Sequence, residues 1–156
     1  MNKKILIAII VAIVIPLGVY TLSPLFIEST VNEELPVSMQ TVNDDQQRVM
    51  TSHSGRFVGV GDGIHDAQGV VVVVPLEDGK NILRFEDFHS TNGPDLYVYL
   101  ATDNTASDFV NLGRLKANNG NQNYEIPEGT DISKYDTALI WCKQFSVLFG
   151  HAELNS

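Results

Sequence analysis

The stretch Val70-Val71-Val72-Val73-Val74-Pro75-Leu76-Glu77-Asp78-Gly79-Lys80-Asn81-Ile82-Leu83-Arg84-Phe85-Glu86 decides the fold of this chain. Consecutive β-branched residues favour extended backbone, because the branched Cβ crowds a helical turn and packs well on a pleated surface. Pro75 has no N–H to donate and ends the run. Glu77-Asp78-Gly79-Lys80 supplies turn chemistry, and beyond it Leu83 and Phe85 alternate with Arg84 and Glu86. The spacing predicts a β-hairpin.

The same pattern recurs downstream. Asn92-Gly93-Pro94-Asp95 is a second turn cluster, after which Leu96, Val98 and Leu100 alternate with Tyr97, Tyr99 and Ala101. Further turns are expected at Asn118-Asn119-Gly120 and Pro127-Glu128-Gly129, with strands over 111–116 and 122–126 and a single helical turn at Asp131-Ile132-Ser133-Lys134. Two apolar runs, 137–142 and 145–154, close the chain. Short strands about ten residues apart, with no amphipathic helix of useful length, predict an all-β fold: an antiparallel β-sandwich of seven or eight strands.

The run Trp141-Cys142-Lys143-Gln144-Phe145-Ser146-Val147-Leu148-Phe149-Gly150 holds the single Cys and the single Trp of the 156 residues. Alternation puts Ala138, Ile140 and Cys142 on one face and Leu139 and Trp141 on the other. Both faces are apolar, which predicts a central strand covered on each side. Along 145–154, Phe145, Val147, Phe149 and His151 are expected on one face, opposite Leu148, Gly150, Ala152 and Leu154. Cys142 then ends its strand near a connection, where solvent or a cofactor could reach it.

The N-terminus sets the compartment in which that thiol is read. From Ile5 to Leu22 there is no charged residue, and a helix over that stretch would rise roughly 27 Å, close to the hydrocarbon thickness of a bilayer. Lys3 and Lys4 precede it, whereas Glu28, Glu33 and Glu34 follow, so the positive-inside bias keeps the N-terminus cytoplasmic and exports the rest. A cleaved signal peptide is the competing reading, but the apolar stretch is long and no Ala-x-Ala lies near Leu22. The expectation is one transmembrane helix in residues 1–27, a polar acidic linker over 28–52 and one extracytoplasmic domain over 53–156.

All 19 acidic residues, but only eight of the 10 basic ones, fall in residues 28–156, a net charge of about −11. Such a surface repels nucleic acid and keeps an exported domain soluble. An unpaired thiol outside the cytoplasm is a buried core residue, a half of an interchain disulfide, or a redox thiol or ligand.

Gly55-Arg56-Phe57, Ile64-His65-Asp66-Ala67-Gln68-Gly69-Val70, Leu83-Arg84-Phe85-Glu86-Asp87-Phe88, Asn92-Gly93-Pro94-Asp95-Leu96-Tyr97-Val98-Tyr99-Leu100, Gln122-Asn123-Tyr124-Glu125-Ile126-Pro127 and Trp141-Cys142-Lys143-Gln144-Phe145 with Phe149-Gly150 resemble a DM13 domain. The resemblance covers roughly residues 53–155. It implies a β-rich extracytoplasmic module, found behind a membrane anchor or beside DOMON and cytochrome b561-type modules. It also implies an electron-transfer role in which Cys142 serves as a free thiol or as a ligand to a prosthetic group such as haem. Redox or cell-surface proteins are the partners to expect.

Among the remaining candidates, His65 lies in a family-like block and is the most plausible helper or axial ligand beside Cys142. The absence of C-x-x-C-H excludes covalent c-type haem, and no Met follows His151 as a blue-copper site would require. Asp62, Asp66, Glu86, Asp87 and Asp95 could converge as oxygen ligands for calcium, although no EF-hand spacing supports them and Asp95 suits a turn acceptor. No G-x-S-x-G, H-E-x-x-H or P-loop marks an enzyme. Two function classes follow. One is a membrane-anchored redox module using Cys142; the other is a non-catalytic binding or adhesion module with a core cysteine.

Overall fold

A computed structural model describes residues 2–22, 28–35, 53–76 and 78–155. Helix α1 runs over Lys3–Leu22, and strands follow at β1 His53–Arg56, β2 Val58–Gly59, β3 Ala67–Pro75, β4 Asn81–Ser90, β5 Leu96–Ala101, β6 Phe109–Arg114, β7 Asn119–Ile126, β8 Thr137–Cys142 and β9 Val147–Glu153. They form two sheets, β1-β3-β4-β7 and β2-β9-β8-β5-β6, whose strands pair antiparallel throughout. The all-β sandwich is as expected.

The hairpin that decides the fold is β3–β4, in register with Val71 opposite Phe85 and Val73 opposite Leu83. These four side chains lie in the core between the sheets. Each large one removed from water contributes about 2 kcal/mol. Nine strands form rather than seven or eight, because β1 and β2 were not legible as strands. His53-Ser54-Gly55-Arg56 lacks strand-forming side chains. Phe57 carries the chain from one sheet to the other, and its ring meets Phe85 and Phe88 edge-on at 5.0 and 5.4 Å. Residues 131–135 make a turn, with Lys134 and Tyr135 N–H both donating to the Asp131 carbonyl, and the expected helical turn goes no further.

As expected, β8 lies at the centre of its sheet. Ala138, Ile140 and Cys142 face the main core, while Leu139 joins Tyr99, Tyr97 and Trp141 on the outer face. The alternation expected along 145–154 does not hold. Ile140 pairs with Gly150 but Trp141 pairs with Leu148, so Phe149 is an extra residue on β9. This bulge resets the parity, and Val147, Phe149, Ala152 and Leu154 all reach the main core cluster.

Of the segment expected as a linker, residues 28–35 lie along the free edge of β7. Thr30 bridges Asn119 in parallel sense, Asn119 N–H donates to Ser29 O at 3.0 Å, and Glu33 N–H donates to Asn121 O at 2.9 Å. An edge strand exposes unpaired main-chain groups, and this strap covers them. Residues 36–52 lie outside the described residues. Among the described residues no helix is long and apolar enough to cross a membrane; the side chains of Leu6, Ala8, Val19, Thr21 and Leu22 in α1 are not among them.

Candidate functional site

Antiparallel pairing gathers the C-terminal ends of β4, β6 and β8 and the N-terminal ends of β3, β5, β7 and β9 at one end of the sandwich. Loops 60–66, 91–95, 115–118 and 143–146 form that end. Cys142 terminates β8 there, with Leu96 paired on one side and Val147 on the other.

Its environment differs from the expectation. The side chain faces the interior and is 1% exposed, so the strand end is not a point of entry for solvent or cofactor. The cause is the packing of the flanking loops. Gly93 approaches so closely that a Cβ there would stand 2.7 Å from Leu96 Cδ2 and 2.8 Å from Phe149 Cζ. A side chain there would have to displace the tips of Leu96 and Phe149, which share the core cluster with Cys142. Lys143 turns the other way. Its Nζ lies 5.1 Å from the centre of the Tyr97 ring on the outer face, so it lends the inward thiol no cation.

His65 is held by Asp62. The Asp62 carboxylate accepts from Ile64 N–H at 2.8 Å and His65 N–H at 2.7 Å, and it meets His65 Nδ1 at 2.5 Å. The His65 backbone bond, then the His65 side chain and the Ile64 amide, pull the carboxyl down to about 2. The imidazole packs on Phe149 with ring centres 4.5 Å apart. Phe149 is thus the side chain that relates the two sequence candidates: it carries the His65 ring and shares a core cluster with Cys142.

This arrangement does not fit a haem. A porphyrin needs a cavity of several hundred Å³ opening on its axial ligand. Among the described residues, one cleft of about 390 Å³ lies between Thr102, Asp136, His151 and Glu153, and one of about 120 Å³ lies between Ser29, Gly93, Leu96 and Arg114. Neither is lined by Cys142 or His65. Of the carboxylates considered for calcium, four have partners of their own: Asp62 with His65, Asp66 with Gln68 Nε2, Glu86 with Arg84, and Asp95 with Arg114. No group of three or more His, Cys, Asp or Glu able to hold a metal is found among the described residues.

A polar clasp on the strap has no counterpart in the sequence reading. Glu33 Oε1 and Oε2 lie 2.7 and 2.8 Å from Lys116 Nζ, and Asn123 N–H donates to Oε2 at 2.7 Å. Arg84, 6% exposed, donates from Nη1 to Glu33 O at 3.1 Å and to Asn123 Oδ1 at 2.9 Å, and from Nε to Glu86. Burial alone would raise the Glu33 carboxyl. The bonds from Lys116 and Asn123 and the charges of Lys116 and Arg84 outweigh it and hold the group below its ordinary value. No periodicity could have revealed this, because the contacts are polar and join residues far apart in sequence.

The fold and site define a small β-sandwich with one thiol sealed into its loop end. The family model described as "Electron transfer DM13" matches residues 59–154, and the chain belongs to that family. Comparisons with curated proteins and with solved structures find no match.

Proposed function

We propose that this protein is an electron-transfer module held by α1 at an extracytoplasmic membrane surface, with Cys142 as its redox group. Membership of an electron-transfer family supports the function class. The observation that carries the reading is the placement of the lone thiol at the loop end of the central strand. The anchor is supported by a helix apolar on every side: Ile9, Ile10, Val11, Ile13, Val14 and Ile15 all expose their side chains.

With one cysteine in the chain, disulfide chemistry is intermolecular. The partner is a redox protein carrying a disulfide. Cys142 loses its proton to solvent, its sulfur attacks one sulfur of that bond, and the other leaves as a thiolate, giving a mixed disulfide. A thiol so deeply buried reacts only when the 143–146 turn lifts. One main-chain bond ties that turn to the 91–95 loop, from Lys143 N–H to Asp95 O at 2.9 Å, and Ser146 within it holds a φ of +53°.

A second reading, a non-catalytic binding module with Cys142 as a core residue, is favoured by the 1% exposure. One experiment separates the two. The full chain in mild detergent is treated with an aromatic disulfide reagent across a denaturant series, with Trp141 fluorescence reporting unfolding. The redox reading expects reaction well below the unfolding midpoint, abolished in Cys142→Ala. Reaction that tracks the Trp141 transition would overturn it in favour of the binding module.

A further inference from the structure

We infer that the loop end of the sandwich formed by residues 60–66, 91–95, 115–118 and 143–146 rests on the surface of the bilayer that α1 enters. The inference rests on the anchor proposed above and adds an orientation to it. The strap provides the first argument. Its parallel pairing begins at Ser29 and Thr30 against Asn119, where β7 starts, so the chain meets the domain at this end. Only residues 23–27 separate Leu22 of α1 from Glu28, and fully extended they reach about 20 Å. Main-chain bonds and the Glu33 clasp fix the strap along β7, so the domain has little freedom to turn this end away.

That end also presents apolar side chains to solvent. Ile64 is 71% exposed and Phe145 63% exposed, each near a loop tip, with Val60 beside the first. Such residues cost free energy in water and gain it in the headgroup and upper acyl region. Lys143, two residues from Phe145, lies against Tyr97 rather than a carboxylate, and its long stem suits a position at the phosphate level.

Charge points the same way. The four loops of the contact end carry Asp62, Asp66 and Asp95 against Lys116 and Lys143 and are nearer to balance, whereas the opposite end carries Asp78, Asp103, Asp108, Glu128, Asp131 and Asp136 against Lys80 and Lys134. Anionic headgroups repel that end, which therefore points away from the membrane. The orientation brings Cys142 to the membrane side of the domain, where a partner embedded in or attached to the bilayer meets it.

The test uses the full chain reconstituted in phosphatidylcholine–phosphatidylglycerol vesicles. A Trp141→Phe, Phe145→Trp chain carries its single indole at the proposed contact; a Trp141→Phe, Asn104→Trp chain carries it at the opposite end. With a phosphatidylcholine spin-labelled high on its acyl chain, the indole at 145 is expected to lose most of its emission and that at 104 to keep it. The unsubstituted chain gives a second reading, with Trp141 dimmed by a headgroup label. Equal emission with labelled and unlabelled lipid at positions 145 and 141, in a chain that floats with the vesicles, overturns the orientation alone. A chain that does not float overturns the anchor as well.

Discussion

Glu33 and Lys116, 83 residues apart in sequence, close on one another through both carboxylate oxygens, at 2.7 and 2.8 Å from Nζ. The pair joins the segment that follows α1 to the end of β6 and start of β7. Both side chains are partly open to solvent, so the attraction is screened, and the pair acts with the Asn123 and Arg84 bonds rather than alone. Glu33→Gln is expected to loosen the strap by about 1 kcal/mol or a little more. Amide exchange at Val31 and Glu33 should quicken while the β3–β4 hairpin stays protected. Unchanged exchange at the strap would show that the clasp does not hold it.

The same carboxyl makes the strap sensitive to acid. Its folded value lies below its ordinary one, so its contribution is complete above the ordinary value of 4.5 and is lost as pH falls through the lower folded value. Proteolysis or exchange at residues 29–34 should therefore rise on acidification below about pH 4.5. Glu33→Gln, uncharged at every pH, should flatten that rise. A rise of equal size in the variant would assign it to other carboxylates.

The elements legible in the sequence are those with local signals. The Val70–Val74 run with its Asp-Gly turn predicted β3–β4, and the two apolar faces of Thr137–Cys142 predicted a central β8, because local chemistry and burial agreed there. The strap was not legible, since Glu28-Ser29-Thr30-Val31-Asn32-Glu33-Glu34-Leu35 pairs through its backbone and polar tips, which leave no hydrophobic period. The Phe149 bulge was hidden for another reason: one extra residue in an apolar run changes no pattern. For Cys142, parity gave the correct face and the strand end gave the correct location. What parity could not supply was the close approach of the 91–95 loop to Leu96 and Phe149 at Gly93.

Tyr124 anchors β7 from the inside. Its hydroxyl donates to Gln122 Oε1 at 2.6 Å and accepts from Lys116 N–H at 3.1 Å, and burial pushes the phenol upward. Gln122 is itself fully buried and bonded to both Ala117 backbone groups. Tyr124→Phe leaves the Lys116 amide without its acceptor, at a cost of about 1–3 kcal/mol. Urea unfolding should show a lower midpoint with an unchanged slope. A midpoint shift of under about 0.5 kcal/mol equivalent would mean that water replaces the hydroxyl.

Gly150 lets β3 pass against β9. A Cβ built there would stand 2.6 Å from Ala67 Cβ and 3.0 Å from Val58 O, neither of which is the end of a flexible side chain. Gly150→Ala must push β2 or the start of β3 outward, at about 1–3 kcal/mol. Ala67 begins the strand that follows the His65 loop, so amide exchange should rise at residues 64–67 ahead of the rest of the sheet. Retention of wild-type stability would mean that the two sheets are further apart here than this packing requires.

Cys142 can be weighed by replacing sulfur in two ways. Cys142→Ala removes one apolar atom from a sealed position, and about 1 kcal/mol is expected from lost burial and the small void. Cys142→Ser keeps the shape but places a hydroxyl in the cluster of Leu96, Val147 and Phe149, so the serine variant should be the less stable of the two, by about 1–3 kcal/mol. At a solvent-open strand end the order would vanish, with both variants within about 0.5 kcal/mol of the parent. Thermal unfolding of the three chains at one pH decides between these cases. A serine variant as stable as the alanine variant would mean that water reaches the sulfur in the resting fold, and the thiol would then need no lifting of the 143–146 turn to react.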